Sequence, residues 1–156
     1  MKTFSIATSV LVAGAISISA TAQQDEDASA SKLVLQISNM RNQIGQICIS
    51  IFSDENGFPT EGNKAIYSKC LANVETTGSK DVEIALLPPG NYALAMFHDE
   101  NSDKQLNTGS FGIPLEGFGF SNNPRILFSA PSFSECSFAI NDAKQTTIQI
   151  KVNHFL

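Results

Sequence analysis

Oxygen-bearing side chains recur at alternate positions in one short stretch of the chain. The four residues of this pattern are Asp99, Asn101, Asp103 and Asn107. Oxygen atoms at such spacing can surround a hard cation such as Ca²⁺. The match to the helix–loop–helix calcium template is partial, because Lys104 stands at its glycine position and Ser110 at its bidentate glutamate position. We weigh a calcium site against a solvated turn, which Asp and Asn favour by bonding their own backbone.

A histidine and three acidic residues form a second candidate group, which overlaps this stretch. His98 is followed by Asp99 and Glu100, and Glu116 comes later in the same region. Such a histidine can act as a general base or a metal ligand, which gives a hydrolase hypothesis using His98 with Asp99 or Glu116. The alternative is a hydrogen-bonded structural histidine at a strand end. The chain has only one other histidine, His154, so a three-histidine zinc site is excluded.

Residues 99–136 are rich in glycine, proline and phenylalanine, and we expect a long irregular loop there. Phe118 and Phe120 are two positions apart, so in an extended stretch they face the same way and are candidate ligand-binding residues. The alternative is that these rings are core. Glycines between them allow close approach to another segment. We expect Asn122 and Asn123 to fasten this loop through side-chain bonds to backbone.

Short stretches rich in Val, Ile and Leu are the elements that must position these residues. The predicted strands are Lys32–Ser38, Gln46–Phe52, an alternation over 82–86, Tyr92–His98 and Thr147–Val152. Residues 64–74 fit a short helix, with an irregular edge segment as the alternative. The sequence Pro88-Pro89-Gly90-Asn91 predicts a type II turn. Together these patterns predict one all-β sandwich of about seven strands, with at most one short helix.

The first residues are typical of an export signal. Lys2 precedes an apolar run from Phe4 to Ile18, and Ala20-Thr21-Ala22 ends the pattern. We predict a signal peptide over 1–22, a disordered acidic leader over 23–31 and the folded domain over 32–156. A membrane anchor is the alternative, although the run is shorter than the roughly 20 residues that a spanning helix needs. No later segment is long enough to span a bilayer.

Charge and cysteine content limit the partners and the bridges. The 156 residues include 15 Asp+Glu against 10 Lys+Arg, a formal charge of −5, which argues against nucleic acid as a partner. Three cysteines allow one internal disulfide in an exported protein. We treat Cys48 as a small buried residue within a strand and expect the bridge between Cys70 and Cys136, although sequence alone leaves the pairing open.

Several of these motifs together resemble a bacterial exported family, domain of unknown function 2141, over about residues 33–153. The resemblance is carried by His98-Asp99-Glu100-Asn101, Leu87-Pro88-Pro89-Gly90-x-Tyr92-Ala93, Gly112-Ile113-Pro114-x-Glu116-Gly117, Gly119-Phe120-Ser121-Asn122-Asn123 and Pro131-x-Phe133. It implies a periplasmic or secreted protein with a small sandwich similar to transthyretin-like (or immunoglobulin-like) or carboxypeptidase-regulatory modules, and it implies no activity. The chain departs from the family pattern at Asp103, Lys104 and Asn107, which weakens the calcium hypothesis.

From these observations we expect a non-enzymatic binding or structural module of the cell envelope. An envelope glycan, a peptide or another protein is the expected kind of partner, and calcium is the one cofactor considered. The expected functional cluster consists of His98, Asp99, Glu100, Asn101, Glu116, Ser121 and Asn122.

Overall fold

Eight strands form nearly all of the regular structure in the described part of the chain. The computed structural model describes residues 30–72, 80–127, 129–142 and 145–155, so the predicted signal peptide and nearly all of the predicted leader lie outside the described residues. The strands are β1 (Ser31–Ser38), β2 (Gln46–Phe52), β3 (Tyr67–Ala72), β4 (Lys80–Leu87), β5 (Gly90–Asp99), β6 (Gly117–Phe120), β7 (Phe138–Ile140) and β8 (Gln145–Lys151). One α-helix, α1, covers Phe133–Cys136, and 3-10 helices cover Gly62–Lys64 and Ser110–Gly112.

The strands form two sheets. In the three-stranded sheet, β1 lies between β4, which is antiparallel to it, and β8, which is parallel to it. The five-stranded sheet has the order β3-β2-β5-β6, and β7 pairs with the beginning of β5. The predicted all-β sandwich is therefore confirmed, with eight strands where about seven were expected. None of the helices in the described ranges is long and apolar enough to cross a membrane.

The main core lies between the two sheets and follows from the alternation of apolar residues along the strands. Ile47, Ile49 and Ile51 of β2 are at most 1% exposed and belong to one cluster with Leu33 and Leu35 of β1. Side chains alternate across a strand, so Cys48, Ser50 and Phe52 lie on the opposite, outer face of the five-stranded sheet. The sequence therefore determines which face of β2 is buried between the sheets.

A second, smaller cluster covers part of that outer face. Its buried members are Ala93, Ala95, Phe118, Phe120 and Cys136. Phe58 packs edge-on against Phe52, Phe120 and Phe133, with ring centroids 5.3, 6.3 and 6.0 Å apart. The segment 99–136 is thus less irregular than expected, because it contributes β6 and α1 and packs their aromatic rings on the sheet.

The glycines of β6 face the opposite sheet at very short range. A Cβ at Gly119 would lie 2.6 Å from Ile150 Cγ2, and one at Gly117 would lie 2.6 Å from Val152 Cγ1. Phe118 and Asn153 exchange backbone hydrogen bonds of 3.1 and 2.7 Å at the same edge. The expected close approach of this glycine-rich stretch to another segment is therefore present, between β6 and the end of β8.

Two local expectations were wrong. Residues 67–72 form strand β3 rather than part of a helix, because they pair with β2 from Gln46 to Ile51 and place Tyr67 and Leu71 against the main core. The Pro88–Asn91 motif does connect β4 to β5, but Gly90 already belongs to β5 and lacks the positive φ that a type II turn requires.

The disulfide joins Cys48 to Cys70, so the expected Cys70–Cys136 bridge was wrong. The register of β2 and β3 places Cys48 directly opposite Cys70 on the outer face, with Cα atoms 3.9 Å apart. Cys136 is a free, fully buried thiol at the end of α1. Burial, with a smaller effect from the Glu135 charge, raises the pKa of the Cys136 thiol to about 12.

Candidate functional site

The calcium hypothesis placed Asp99 among the metal ligands, yet its carboxylate is completely buried and bound by donors of the protein. Its Oδ1 accepts a hydrogen bond from Asp103 N at 3.1 Å, and its Oδ2 accepts from Lys104 N at 2.8 Å and from the Gln46 amide at 2.6 Å. A carboxylate with this many donors is held in one orientation. Asp99 therefore fixes the start of the loop that follows β5.

The other three predicted calcium ligands bind one another. Asp103 accepts hydrogen bonds from the side-chain amides of Asn101 and Asn107 and from Gln105 N, at 2.8 to 3.0 Å. These hydrogen bonds, of which that from Asn107 has the largest effect, hold the pKa of the Asp103 carboxyl below its usual value. No cluster of three or more acidic, histidine or cysteine side chains suited to a metal ion occurs among the described residues. The loop therefore resembles the solvated turn that was considered as the alternative to a calcium site.

The Glu116 carboxylate binds the loop that follows β5 at two positions. Its Oε1 accepts from Glu100 N at 3.0 Å and its Oε2 from Asn107 N at 2.9 Å, and the residue is 6% exposed. Asp99, Glu100 and Glu116 therefore lie together, and we call these three residues the acidic corner. The corner holds residues 99–116 in a defined shape at one end of the five-stranded sheet.

Glu100 faces the connection between β1 and β2. Its carboxylate accepts from Arg41 Nε at 2.7 Å and from the Asn42 amide at 2.8 Å, while Arg41 Nη2 also donates to Leu115 O at 2.9 Å. Partial burial raises the pKa of the Glu100 carboxyl, but the hydrogen bonds from Asn42 and Arg41 and the Arg41 charge outweigh it, so the pKa is lowered overall. Arg41 thereby links the acidic corner to the segment before Glu116.

His98 is buried against backbone, at 1% exposure. Its Nε2 donates to Ile44 O at 2.7 Å, and its Nδ1 lies 3.8 Å from Glu100 Oε1. A general base must reach the proton it removes from a substrate, and this ring has no exposed nitrogen. The geometry gives the hydrolase hypothesis no support, and His98 holds the connection between β1 and β2 through its bond to Ile44 O.

Ser121, Asn122 and Asn123 fasten the segment that follows β6. The buried Ser121 hydroxyl donates to Cys136 O at 2.5 Å and accepts from Leu94 N at 2.9 Å. Asn122 donates to Ser137 O at 2.7 Å. Asn123 donates to Gln149 O at 2.8 Å and accepts from Lys151 N at 2.7 Å, so its amide covers the free edge of β8. The expected fastening by the asparagine pair is therefore present as side-chain-to-backbone bonds.

An open groove of about 1460 Å³ runs over the outer face of the five-stranded sheet. Its floor includes Cys48, Ala95, Phe97, Phe118 and Phe120. One wall comes from residues 104–114 of the loop that the acidic corner holds, and another from Ile126, Leu127, Ser129 and Ala130. We call this feature the outer groove. The acidic corner adjoins it directly, because Gln46 and Lys104 both bind Asp99 and both line the groove.

The rim of the outer groove concentrates the exposed apolar side chains of the protein. Of the eight large hydrophobic residues that are exposed in the described ranges, five line it: Leu106, Phe111, Ile113, Leu127 and Phe155. Phe111 is fully exposed and has a φ of 61°, a conformation that is unfavourable for a bulky residue. Clustered exposed apolar side chains mark binding surfaces more often than scattered ones do.

The predicted ligand-binding rings and the exposed rings are thus different residues. Phe118 and Phe120 are 5% and 8% exposed, so they belong mainly to the second core cluster and form part of the groove floor. Phe111 and Phe155, which offer open aromatic surface, were not singled out. For Phe111, the signal available in the sequence was the glycine that follows it, and in the structure Gly112 has a φ of 72°. For Phe155, at the end of the chain, no signal was available.

The comparisons with known proteins identify the family and nothing more specific. Searches of the curated proteins and of the solved structures found no match to the chain. Residues 35–149 match the family model described as "Uncharacterized protein conserved in bacteria (DUF2141)". The match covers most of the sandwich, from β1 to β8, and includes the acidic corner and the residues that line the outer groove, except Phe155. The chain therefore belongs to the DUF2141 family.

Proposed function

We propose that this protein is an exported, non-enzymatic binding module of the bacterial envelope whose ligand lies in the outer groove. The observation that supports this most is the groove itself, where five exposed apolar side chains surround a concave floor. Ligand sites are typically concave and mostly apolar. By contrast, the carboxylates of the acidic corner accept hydrogen bonds from the protein's own donors. This arrangement suits a role in supporting the wall of the outer groove rather than a role in catalysis.

Export is supported by the sequence pattern at the N-terminus and by the bridge between the two cysteines. Disulfides persist in the periplasm and outside the cell and are rare in reducing compartments. The Cys48–Cys70 bridge lies in the floor of the outer groove. An oxidising compartment that preserves the bridge therefore also preserves part of the binding surface.

Titration with a neutral apolar fluorophore, N-phenyl-1-naphthylamine, tests the proposal. We expect saturable binding to the purified protein. Ser68→Trp should weaken this binding at least about tenfold, because Ser68 is exposed on β3 and lines the groove. Ala139→Trp is the matched control, since Ala139 is exposed on β7 and does not line the groove. Binding that is absent, or equally strong in both variants, would refute the proposal.

A further inference from the structure

We propose that residues 107–115, which we call the apolar finger, insert into the interface of a lipid bilayer with zwitterionic head groups. This inference goes beyond the proposed function, because it concerns the apex of one wall of the outer groove and not the ligand inside the groove. It is carried by the hairpin shape of the finger, the exposure of its apex, its lack of charge and the way its base is fixed.

The apolar finger is a short hairpin whose backbone pairs with itself. Four backbone hydrogen bonds of 2.8 to 3.4 Å close it: Leu115 N to Asn107 O, Gly109 N to Ile113 O, Gly112 N to Gly109 O, and Ile113 N to Ser110 O. Thr108 and Pro114 also form an antiparallel bridge, and Pro114 has no N–H group to satisfy. A backbone polar group without a partner is costly in the apolar part of a bilayer. The pairing within the finger therefore suits entry into lipid.

Phe111 lies at the apex of the finger with its side chain fully exposed. Phe111 and Gly112 have φ values of 61° and 72°, and a bulky residue rarely adopts this conformation. Strain of this kind persists where the surrounding structure imposes it, and it is concentrated at functional sites. Residues 110–113 are all exposed, so the apex projects from the surface and does not lie along it. A fluid apolar phase can surround such a projection on every side.

The charges of the chain favour a zwitterionic bilayer over an anionic one. Residues 105–115 contain no Asp, Glu, Lys or Arg, whereas the whole chain has a formal charge of −5 and would be repelled by an anionic surface. Lys104 directly precedes the uncharged stretch and is exposed. A lysine at the edge of an apolar segment can reach the level of the lipid phosphates while the apolar residues lie deeper. Leu106, Ile113 and Leu115, which are also exposed, add apolar area beside Phe111.

The base of the finger is fixed by the acidic corner and by the connection between β1 and β2. Glu116 Oε2 accepts a hydrogen bond from Asn107 N at 2.9 Å, and Arg41 Nη2 donates to Leu115 O at 2.9 Å. Three residues lie between Asn107 and Phe111, so at about 3.3 Å per residue the apex extends up to about 13 Å beyond the base. Interfacial segments enter a bilayer to a depth of roughly 5–10 Å. The finger is therefore long enough, and its fixed shape lowers the entropic cost of insertion.

A tryptophan at the apex tests the inference, because the chain contains no tryptophan of its own. The material is protein purified after export, since the apolar run from Phe4 to Ile18 would itself bind lipid. With phosphatidylcholine vesicles, the emission of Phe111→Trp should move to shorter wavelength and should be quenched by brominated acyl chains. Ile66→Trp is the matched control, because Ile66 is 51% exposed and lies outside the finger and the groove lining. Its emission should not change.

Removal of the ring measures its contribution to binding. Phe111→Ser should weaken binding to these vesicles at least about tenfold, because one aromatic side chain no longer leaves water. The variant should keep the Tm of the parent protein, since the Phe111 side chain is fully exposed. Ile66→Ser should bind as the parent does. Replacing part of the phosphatidylcholine with anionic phosphatidylglycerol should not strengthen binding, and added salt should not weaken it.

Three results would overturn the inference: unchanged emission of Phe111→Trp with vesicles, equal quenching of the two tryptophan variants, or equal binding by Phe111→Ser and the parent. Binding that requires phosphatidylglycerol and is lost with added salt would also overturn it, because charge and not the finger would then hold the protein. If the vesicles are not bound at all, a pocket on another protein is left as the partner of Phe111. The proposed function would still stand in each case if N-phenyl-1-naphthylamine bound in the outer groove.

Discussion

Replacing Glu116 with glutamine removes one negative charge while keeping the size of the side chain. Glu116 is 6% exposed, and each of its two oxygens accepts one backbone N–H, from Glu100 at 3.0 Å and from Asn107 at 2.9 Å. In Glu116→Gln one of these N–H groups keeps an oxygen partner, and the other faces an amide that can only donate. The variant should therefore release the loop 99–116 at either Glu100 or Asn107.

The size of the effect follows from the bonds that change. A hydrogen bond to a charged group contributes about 1.5–3 kcal/mol, and a buried donor without a partner is costly. We expect Glu116→Gln to lower the free energy of unfolding by about 2–3 kcal/mol. For a domain of this size, each kcal/mol corresponds to roughly 4 °C in Tm, so Tm should fall by about 8–12 °C.

Thermal unfolding by circular dichroism and amide hydrogen exchange measure this prediction together. The amides of Glu100 and Asn107 should exchange faster in Glu116→Gln than in the parent protein. Glu55→Gln makes the same charge change at an exposed loop residue and should shift Tm by no more than about 2 °C. If the two variants melt together and the two amides keep their protection, Glu116 does not hold the loop.

Three further predictions concern the bridge, the packing of β6 and the acid sensitivity. Replacing Cys48 and Cys70 together with alanine should cost about 3 kcal/mol in denaturant unfolding, the value for a closed loop of 22 residues; unchanged stability would contradict the bridge. Gly119→Ala should cost about 1–3 kcal/mol, because its Cβ would lie 2.6 Å from Ile150 Cγ2, and an unaltered Tm would mean that the two sheets are farther apart there. The pKa of Glu100 is below its ordinary value of 4.5, so its contribution to stability is present above pH 4.5 and is lost as the pH falls through the lowered pKa. Glu100→Gln should therefore show a flatter dependence of Tm on pH below 4.5, and an unchanged slope would refute this assignment.

The strands with strict alternation were the part of the fold that sequence could predict. Ile47, Ile49 and Ile51 alternate with smaller or outer residues, and the structure buries all three between the sheets. The helix predicted over residues 64–74 was wrong because Tyr67 and Leu71 are four positions apart. That spacing places two side chains on one face of a helix and also on one face of a strand. Pairing with β2 decided between these possibilities, and pairing is a long-range property that local pattern does not contain.

The same limit explains the errors in the site. The partner of Cys48 depends on the β2–β3 register, which the single sequence does not reveal. Sequence did identify the acids around His98 as one group, but not that their oxygens bind backbone N–H groups of the same loop. Cys48, Lys104 and Leu127 are far apart in the chain and carry no local signal, so their meeting at one groove could emerge only from the fold.

The most direct test of the account is a map of backbone amide chemical shifts during titration of the purified protein with N-phenyl-1-naphthylamine. The account predicts saturable changes that are largest on the outer face of the five-stranded sheet, at Cys48, Ala95 and Phe118, and at Lys104 on the wall. Changes located on the three-stranded sheet β4-β1-β8, or no change at the highest probe concentration, would contradict it.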